Sequence, residues 1–188
     1  MLCGQRWITH DYVKHNVGMR ISRFPNIVDD VTVRLIAAVV LLLAVVALAA
    51  HQWWLYAVLA ADFVLRSGWG PSASPVAILV SRWIRPRIAA APRYTAGPPK
   101  RFAAAVGAVL TVAATVLWLA GASLPVLLIG AIMVVFPALE SIAGLCVGCL
   151  VFSGLMRLGV IPESVCLECA DTTRRAAQRQ AAAAAANA

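Results

Sequence analysis

Charged residues are scarce in this chain of 188 residues, of which only 13% are Asp, Glu, Lys or Arg. Soluble globular domains carry about 25% charged and about 45–50% apolar residues, whereas 62% of this sequence is hydrophobic. The shortage of charge excludes an ordinary water-soluble core. It indicates that lipid surrounds most of the chain.

The sequence also lacks the motifs of several enzyme classes. It has no phosphate-binding loop, no G-x-S-x-G nucleophile elbow, no H-E-x-x-H zinc motif and no dinucleotide fingerprint. These absences argue against a hydrolase or a nucleotide enzyme. We also expect no signal peptide, because the first apolar stretch begins only near Val31.

The net charge of +8 does not indicate a nucleic-acid partner. The basic residues flank apolar segments, as they do in cytoplasmic loops that face anionic lipid. Lysine is nearly absent, with only Lys14 and Lys100, and the excess of arginine is typical of a GC-rich bacterial genome. We therefore expect the lipid bilayer as the partner of this surface, and no nucleic acid.

Four apolar stretches predict an all-α integral membrane fold with four transmembrane helices, at about 33–50, 52–66, 102–120 and 124–156. Short connections pair these helices into two hairpins, joined by a basic amphipathic loop at 67–101. The second helix is short, since a lone span needs about 17–25 residues. The fourth is longer than one membrane thickness, and Pro137 is expected to kink it.

The loops predict the orientation in the membrane. Seven basic residues and no acidic one lie between Arg66 and Arg101, whereas the connections after the first and third helices contain no Lys or Arg. The positive-inside rule then places this loop and both termini on the cytoplasmic side of a bacterial inner membrane. Residues 1–30 form an N-terminal extension in which Met19 is an alternative start. Residues 31–158 form the membrane domain, and residues 159–188 a tail with an alanine-rich end.

The central loop contains two further signals. Ser74 and Pro75 predict the start of a short amphipathic helix, which either lies on the inner leaflet or packs as a connector. Gly97, Pro98 and Pro99 predict a break before the third transmembrane helix.

Cysteine placement is the most informative feature. Four of the five cysteines form two C-x-x-C pairs, Cys146 with Cys149 and Cys166 with Cys169, and sixteen residues separate the pairs. Cysteines three apart on a helix share a face at about 5 Å between Cα atoms, within reach of a disulfide. Both pairs are expected near the cytoplasmic surface, where reducing conditions disfavour a static structural disulfide.

Three interpretations of these cysteines stay open. As redox dithiols they would exchange electrons with a partner thiol or a quinone and would need no cofactor. As a four-thiolate site they would bind zinc or monovalent copper, a role typical of two C-x-x-C pairs about 15–20 residues apart. In the third, the chain is a structural subunit of a membrane complex with incidental cysteines, and Gly144 and Gly148 form a packing face around Cys146. The redox interpretation is our first prediction.

Two acidic residues lie within apolar segments, where a charge costs at least about 2.5–3.5 kcal/mol on insertion scales. Asp62 is followed four residues later by Arg66, which predicts an ion pair within one helix. Glu140 has no basic residue within a turn of its own helix, so we expect a hydrogen bond to another helix or a protonated carboxyl.

A catalytic role for Glu140 would be to relay the proton that accompanies electron transfer at the cysteines. On one ideal helix, however, Cys146 lies about 240° around the axis from Glu140, and Cys149 about 180° around it. Direct contact therefore requires Pro137 or a non-ideal segment to redirect the chain.

The runs Ala138–Cys149, with A-L-E followed by C-x-G-C, and Ile161–Asp171, with C-x-x-C-A-D, resemble a bacterial family known as domain of unknown function 4395. Its other landmarks here are Asp62-Phe63 with Arg66, Gly70-Pro71, Ser74-Pro75 and Lys100-Arg101-Phe102. The resemblance covers about residues 28–171 and implies a bacterial membrane protein. Because members occur beside thioredoxin-like or sulfur-transfer proteins, it also implies a partner of that kind.

Assembly is the last expectation. Four short helices enclose little space, so a pore or carrier built from this chain would need a homo-oligomer. The sequence thus predicts a multi-pass membrane protein without naming its substrate, and it leaves open whether the chain is an enzyme.

Overall fold

The computed structural model describes residue 25, residues 27–162 and residue 165. The predictions for the N-terminal extension, for Cys166 and Cys169 and for the alanine-rich end lie outside these residues. The elements in chain order are β1 (Ile27–Asp29), α1 (Asp30–Ala49), α2 (Trp53–Trp69), α3 (Pro75–Leu79), β2 (Tyr94–Ala96), α4 (Gly97–Leu119), α5 (Ser123–Ala138) and α6 (Val147–Arg157). Short π-helical turns follow α3 at Val80–Ile84 and α5 at Leu139–Ala143, and a 3₁₀ turn spans Arg85–Arg87.

Three helical segments of the described chain are long and apolar enough to cross a membrane: Asp30–Ala49, Gly97–Leu119 and Ser123–Ala143. Large apolar side chains cover their outer surfaces, as at Leu42, Val109 and Leu128, which are 62%, 69% and 59% exposed. Such surfaces suit lipid and not water. The all-α class is therefore confirmed, whereas the count of four spans stays a prediction.

Two helices begin earlier than the sequence predicted. Asp29 caps α1, since its carboxylate accepts hydrogen bonds from the backbone N–H of Val31 at 3.3 Å and from the hydroxyl of Thr32 at 2.7 Å. The predicted break at residues 97–99 is wrong, because α4 begins at Gly97 with proline in its first turn. Proline is tolerated there because the first N–H groups of a helix have no intrahelical acceptor.

The single helix predicted over 124–156 is also wrong. The helical chain stops at Ala143, Gly144 adopts a left-handed conformation with φ of +68°, and a separate helix begins at Val147. A left-handed residue after the last turn is a common helix end, and glycine adopts it without steric cost. Two separate helices thus replace one.

The long helices pack in pairs, α2 mainly against α4 and α1 mainly against α5. Glycine allows close approach where two helices meet. A Cβ atom at Gly107 of α4 would lie 2.7 Å from the ring of Phe63 on α2. Small residues at such contacts are typical of helices packed in membranes. The main core is formed by Ile36, Val40, Ala44, Leu59, Phe63, Val76, Ala77, Val80, Ala104, Ala108 and Met133.

The segment between α2 and α4 returns to the core. Val76, Ala77 and Val80 are buried, whereas Arg82 and Trp83 are exposed. The sequence left open whether this segment lies on the inner leaflet or packs as a connector, and the buried side chains agree with a packed connector. Its helix starts at Pro75, with Ser74 as the N-cap.

A small sheet that the sequence did not predict joins the starts of α1 and α4. Strand β1 pairs antiparallel with β2, with Val28 opposite Thr95. The backbone N–H of Asp30 also donates to the carbonyl of Arg93 at 2.6 Å. The N-termini of α1 and α4 therefore lie at the same end of the molecule.

Candidate functional site

Asp62 is the centre of a buried hydrogen-bond network. Its side chain forms the ion pair with Arg66 that the sequence predicts. The hydroxyl of Ser74 donates to Asp62 Oδ1 at 2.6 Å, and the backbone N–H of Val76 donates to the same oxygen at 2.9 Å. Asp62 is 1% exposed and Ser74 0%. This carboxylate therefore anchors α3 to α2, which is a structural role.

Glu140 pairs with a residue on another helix. Lys100 Nζ donates to Glu140 Oε1 at 2.6 Å and lies 3.7 Å from Asp30 Oδ1. The Lys100 and Glu140 side chains are 9% and 18% exposed. The expectation of a hydrogen bond from Glu140 to another helix is confirmed. Its partner was missed because it is forty residues away in sequence.

Arg34 extends this pair into a cluster of four charges. Its guanidinium Nε lies 2.9 Å from Asp30 Oδ2, and it covers Gly144 so closely that a Cβ atom there would overlap it. The cluster of Asp30, Arg34, Lys100 and Glu140 contains two acids and two bases. It is neutral overall and joins α1, α4 and the turn after α5.

Cys146 and Cys149 form a disulfide at the start of α6, with 5.1 Å between their Cα atoms. Cys146 is the N-cap of α6, and its sulfur accepts from the backbone N–H of Cys149 at 3.3 Å. Cys146 is 8% exposed, whereas Cys149 is half-buried. A thiolate at a helix N-terminus is stabilised by the helix dipole and by free N–H groups, which lowers the pKa of such thiols in general.

Two contacts hold this cysteine pair at the start of α4. A Cβ atom at Gly148 would lie 2.5 Å from Ala103 Cβ and 2.7 Å from its Cα, so α6 touches the α4 backbone there. The rings of Phe102 and Phe152 pack in a tilted arrangement, with their centroids 5.7 Å apart and their planes inclined at 57°. Gly148 thus has a packing role. The sequence suggested that Gly144 shares a helix face with Gly148, but Gly144 lies before the start of α6.

A partly enclosed cavity of about 200 Å³ lies between α1, α2, α4, α5 and α6. Most of its lining side chains are apolar, and its polar lining groups are Arg66, Lys100, Glu140 and Cys146. Glu140 and Cys146, which one ideal helix would separate, therefore face the same space. The chain break at Gly144 makes this possible.

The four-cysteine metal site stays a prediction. Among the described residues, no group of three or more His, Cys, Asp or Glu is arranged to hold a metal ion. Cys166 and Cys169 lie outside those residues, so the structure gives no geometry for a site that includes them.

Comparison with known proteins gives the family. The model of the family described as "Domain of unknown function (DUF4395)" matches residues 28–157, more than half of the chain. The chain belongs to the DUF4395 family. No curated protein and no solved structure matches it. The DUF4395 match includes the four-charge cluster, the cavity and the Cys146–Cys149 pair, and it ends before Cys166.

Proposed function

We propose that this DUF4395 protein is a membrane thiol–disulfide redox or sulfur-relay component whose working couple is Cys146–Cys149. The observation that carries the proposal is the disulfide at the start of α6, on the wall of a cavity that it shares with the Lys100–Glu140 ion pair. Two cysteines at a helix N-terminus are suited to thiol exchange, since the first thiolate formed is stabilised there.

The exchange itself needs only the two sulfur atoms and a partner. A partner thiolate attacks one sulfur of the Cys146–Cys149 disulfide, forms a mixed disulfide and releases the other cysteine as a thiolate. A second partner thiol then attacks the mixed disulfide, so that the partner is oxidised and this pair becomes a dithiol. Two electrons and two protons move in total. Glu140 would exchange protons with the thiols across the shared cavity.

The membrane arrangement supports the proposal. We infer four spans in two hairpins, with α2 as the short one. Its 17 residues extend about 26 Å at 1.5 Å per residue, a small mismatch to a hydrocarbon core about 30 Å thick. The basic connector between α2 and α4 would then be cytoplasmic. The cysteine pair lies at the same end of the molecule as this connector and would therefore face the cytoplasm, whose reducing conditions keep a disulfide turning over.

The tail would supply the second half of the relay. In this proposal Cys166 and Cys169 carry electrons between a soluble thioredoxin-like or sulfur-transfer partner and the Cys146–Cys149 pair. In this order the tail cysteines attack the more exposed Cys149, because Cys146 is largely closed to water.

The test is a count of free thiols and bound metal in protein purified without oxygen, for the wild type and for Cys146→Ala, Cys166→Ala and the control Cys3→Ala. We expect thiols that oxidise and recover reversibly, with loss of recovery in the first two variants only. A Cys146→Ala variant keeps the more exposed Cys149 and should trap the attacking thiol as a mixed disulfide. One zinc or copper ion per chain, lost in both Cys146→Ala and Cys166→Ala, would instead establish the four-thiolate metal site and overturn the proposal.

A further inference from the structure

The two sulfur atoms of the Cys146–Cys149 pair differ in access. Cys146 lines the cavity between the helices and is 8% exposed, whereas Cys149 is half-buried and is not part of the cavity wall. A protein thiol cannot enter a cavity of about 200 Å³. The Cys146 side of the pair is therefore open only to a small molecule, and the largely apolar lining favours an apolar one.

We propose that this cavity binds a quinone and that the quinone is the oxidant of the Cys146–Cys149 dithiol. The inference rests on the proposed thiol redox function and adds its membrane-side substrate. The cavity wall to which Cys146 belongs is largely apolar, with side chains such as Val33, Leu110 and Met133. An apolar cavity of about 150 Å³ is enough for benzene, so this one has room for a single substituted six-membered ring.

The polar groups of the wall match what a quinone needs on reduction. Its two oxygen atoms gain negative charge as electrons arrive, and then each gains a proton. Lys100 and Arg66 place cationic N–H donors on the wall, and Glu140 adds a group that can exchange a proton. Donors aimed at developing charge in a dry site stabilise it more than water does. An acyl chain would use none of these groups.

The reaction balances without any further reagent. The two S–H bonds of Cys146 and Cys149 break and one S–S bond forms, which releases two electrons and two protons. The quinone takes up both, so that its two C=O groups become C–OH groups. The Lys100–Glu140 pair passes protons to the nearer oxygen and ends the cycle in its starting state. The Cys166–Cys169 dithiol, which the partner protein keeps reduced, then reduces the disulfide again.

The experiment uses the full chain in lipid nanodiscs, reduced and freed of reductant without oxygen. Decylubiquinone is the probe, because its fully substituted ring does not add thiols. Its reduction is followed by ultraviolet absorbance, and loss of protein thiols is counted in parallel. A soluble disulfide, oxidised glutathione, serves as a second oxidant that does not need the cavity.

Two matched variants of α1 separate the cavity from general damage. Val33→Phe puts a ring into the cavity, whereas Val45→Phe makes the same change at a position that is 42% exposed on the outer surface. We expect Val33→Phe to slow quinone reduction at least about tenfold, since overfilling a packed site is costly. Oxidation by glutathione should be unchanged in both, and Val45→Phe should match the wild type.

Each outcome is decisive. One quinone reduced per dithiol, with the loss confined to Val33→Phe and to variants of either cysteine, supports the inference. Oxidation by glutathione with no reduction of the quinone overturns it and leaves the thiol redox function standing. Dithiols that neither oxidant can convert reversibly overturn both. Equal quinone reduction in Val33→Phe and the wild type shows that the cavity is not the site.

Discussion

Asp62 and Glu140 are both carboxylates within apolar helical segments, yet their surroundings differ. Asp62 is 1% exposed and accepts hydrogen bonds from Arg66, Ser74 and the backbone of Val76. Glu140 is 18% exposed, accepts one hydrogen bond, from Lys100, and borders a cavity. Both oxygens of Asp62 accept hydrogen bonds, whereas Glu140 Oε2 accepts none from the described residues.

This difference indicates a structural role for Asp62 and a chemical role for Glu140. A buried charge whose hydrogen bonds are all made fixes the geometry of the elements around it, because moving any partner leaves a charge unsatisfied. A carboxylate with one partner beside a cavity can gain or lose a proton without breaking the fold. The intramembrane position of an acid alone does not indicate which role it has.

The largest loss of stability is expected from a change at Asp62. Asp62→Asn leaves Arg66 buried without its counter-charge and weakens the link from α2 to α3, so we expect a loss of about 3–5 kcal/mol in the free energy of unfolding. The measurement is unfolding by denaturant in mixed micelles, followed by circular dichroism. The double variant Asp62→Asn with Arg66→Leu should recover part of the loss, since no lone charge remains. Unchanged stability in Asp62→Asn would show that the hydrogen-bond network around Asp62 does not stabilise the fold.

Near the cavity, the fold requires a residue without a side chain at Gly148. Gly148→Ala brings a methyl group against the backbone of Ala103, so α6 must shift, and we expect a loss of about 1–3 kcal/mol. The control is Gly154→Ala on the same helix, where a Cβ atom meets nothing within 4 Å. That change should keep or raise the melting temperature, since alanine favours helix over glycine by up to about 1 kcal/mol. Equal losses in both variants would show that α6 does not depend on this contact.

Several features could be predicted because they are local in sequence. The apolar stretches gave the positions of α1, α2 and α4, and the spacing of Asp62 and Arg66 gave their ion pair. Ser74 before Pro75 gave the start of α3. Each depends on residues within a turn or two of one another, where the period of the helix decides the contact.

The features that were missed depend on distant residues or on one backbone angle. The pairing of Lys100 with Glu140 joins residues forty positions apart, and β1 and β2 are three residues each. Gly144 was interpreted as a small packing residue, whereas its left-handed conformation ends the helix. A glycine a few residues before a C-x-x-C pair was the one local signal for that break.

The third prediction concerns Glu140 itself. Glu140→Gln keeps a hydrogen-bond acceptor for Lys100, and Asp30 still lies 3.7 Å from that ammonium group. We therefore expect a loss of only about 1 kcal/mol in stability, much less than for Asp62→Asn, together with slower proton-coupled oxidation of the dithiol. Stopped-flow measurement of that oxidation should give a lower rate than in the wild type. A stability loss as large as that of Asp62→Asn would remove the distinction between the two sites.

The smallest effect is expected at Asp29, which lies outside the membrane segments and ties α1 to the connector. Burial acts to raise the pKa of this carboxyl. Hydrogen bonds from Thr32 and Arg85 and from the backbone of Arg93 and Val31 outweigh it, so the pKa lies below its usual value of 3.8. A lowered pKa means that the ionised form stabilises the fold. This contribution is complete above pH 3.8 and is lost as the pH falls through the lower, folded-state value.

Asp29→Asn tests this contribution and shows whether it is separate from the cavity. Asparagine is as good an N-cap as aspartate, so the start of α1 should survive and only the charge interactions are lost. The variant should be slightly less stable at neutral pH and should lose less stability than the wild type as acid is added. Thr32→Val, which removes one of the hydrogen bonds, should give an intermediate acid dependence. If Asp29→Asn follows the same acid unfolding curve as the wild type, the acid sensitivity resides in other groups, and the Lys100–Glu140 pair beside the cavity becomes the first to examine.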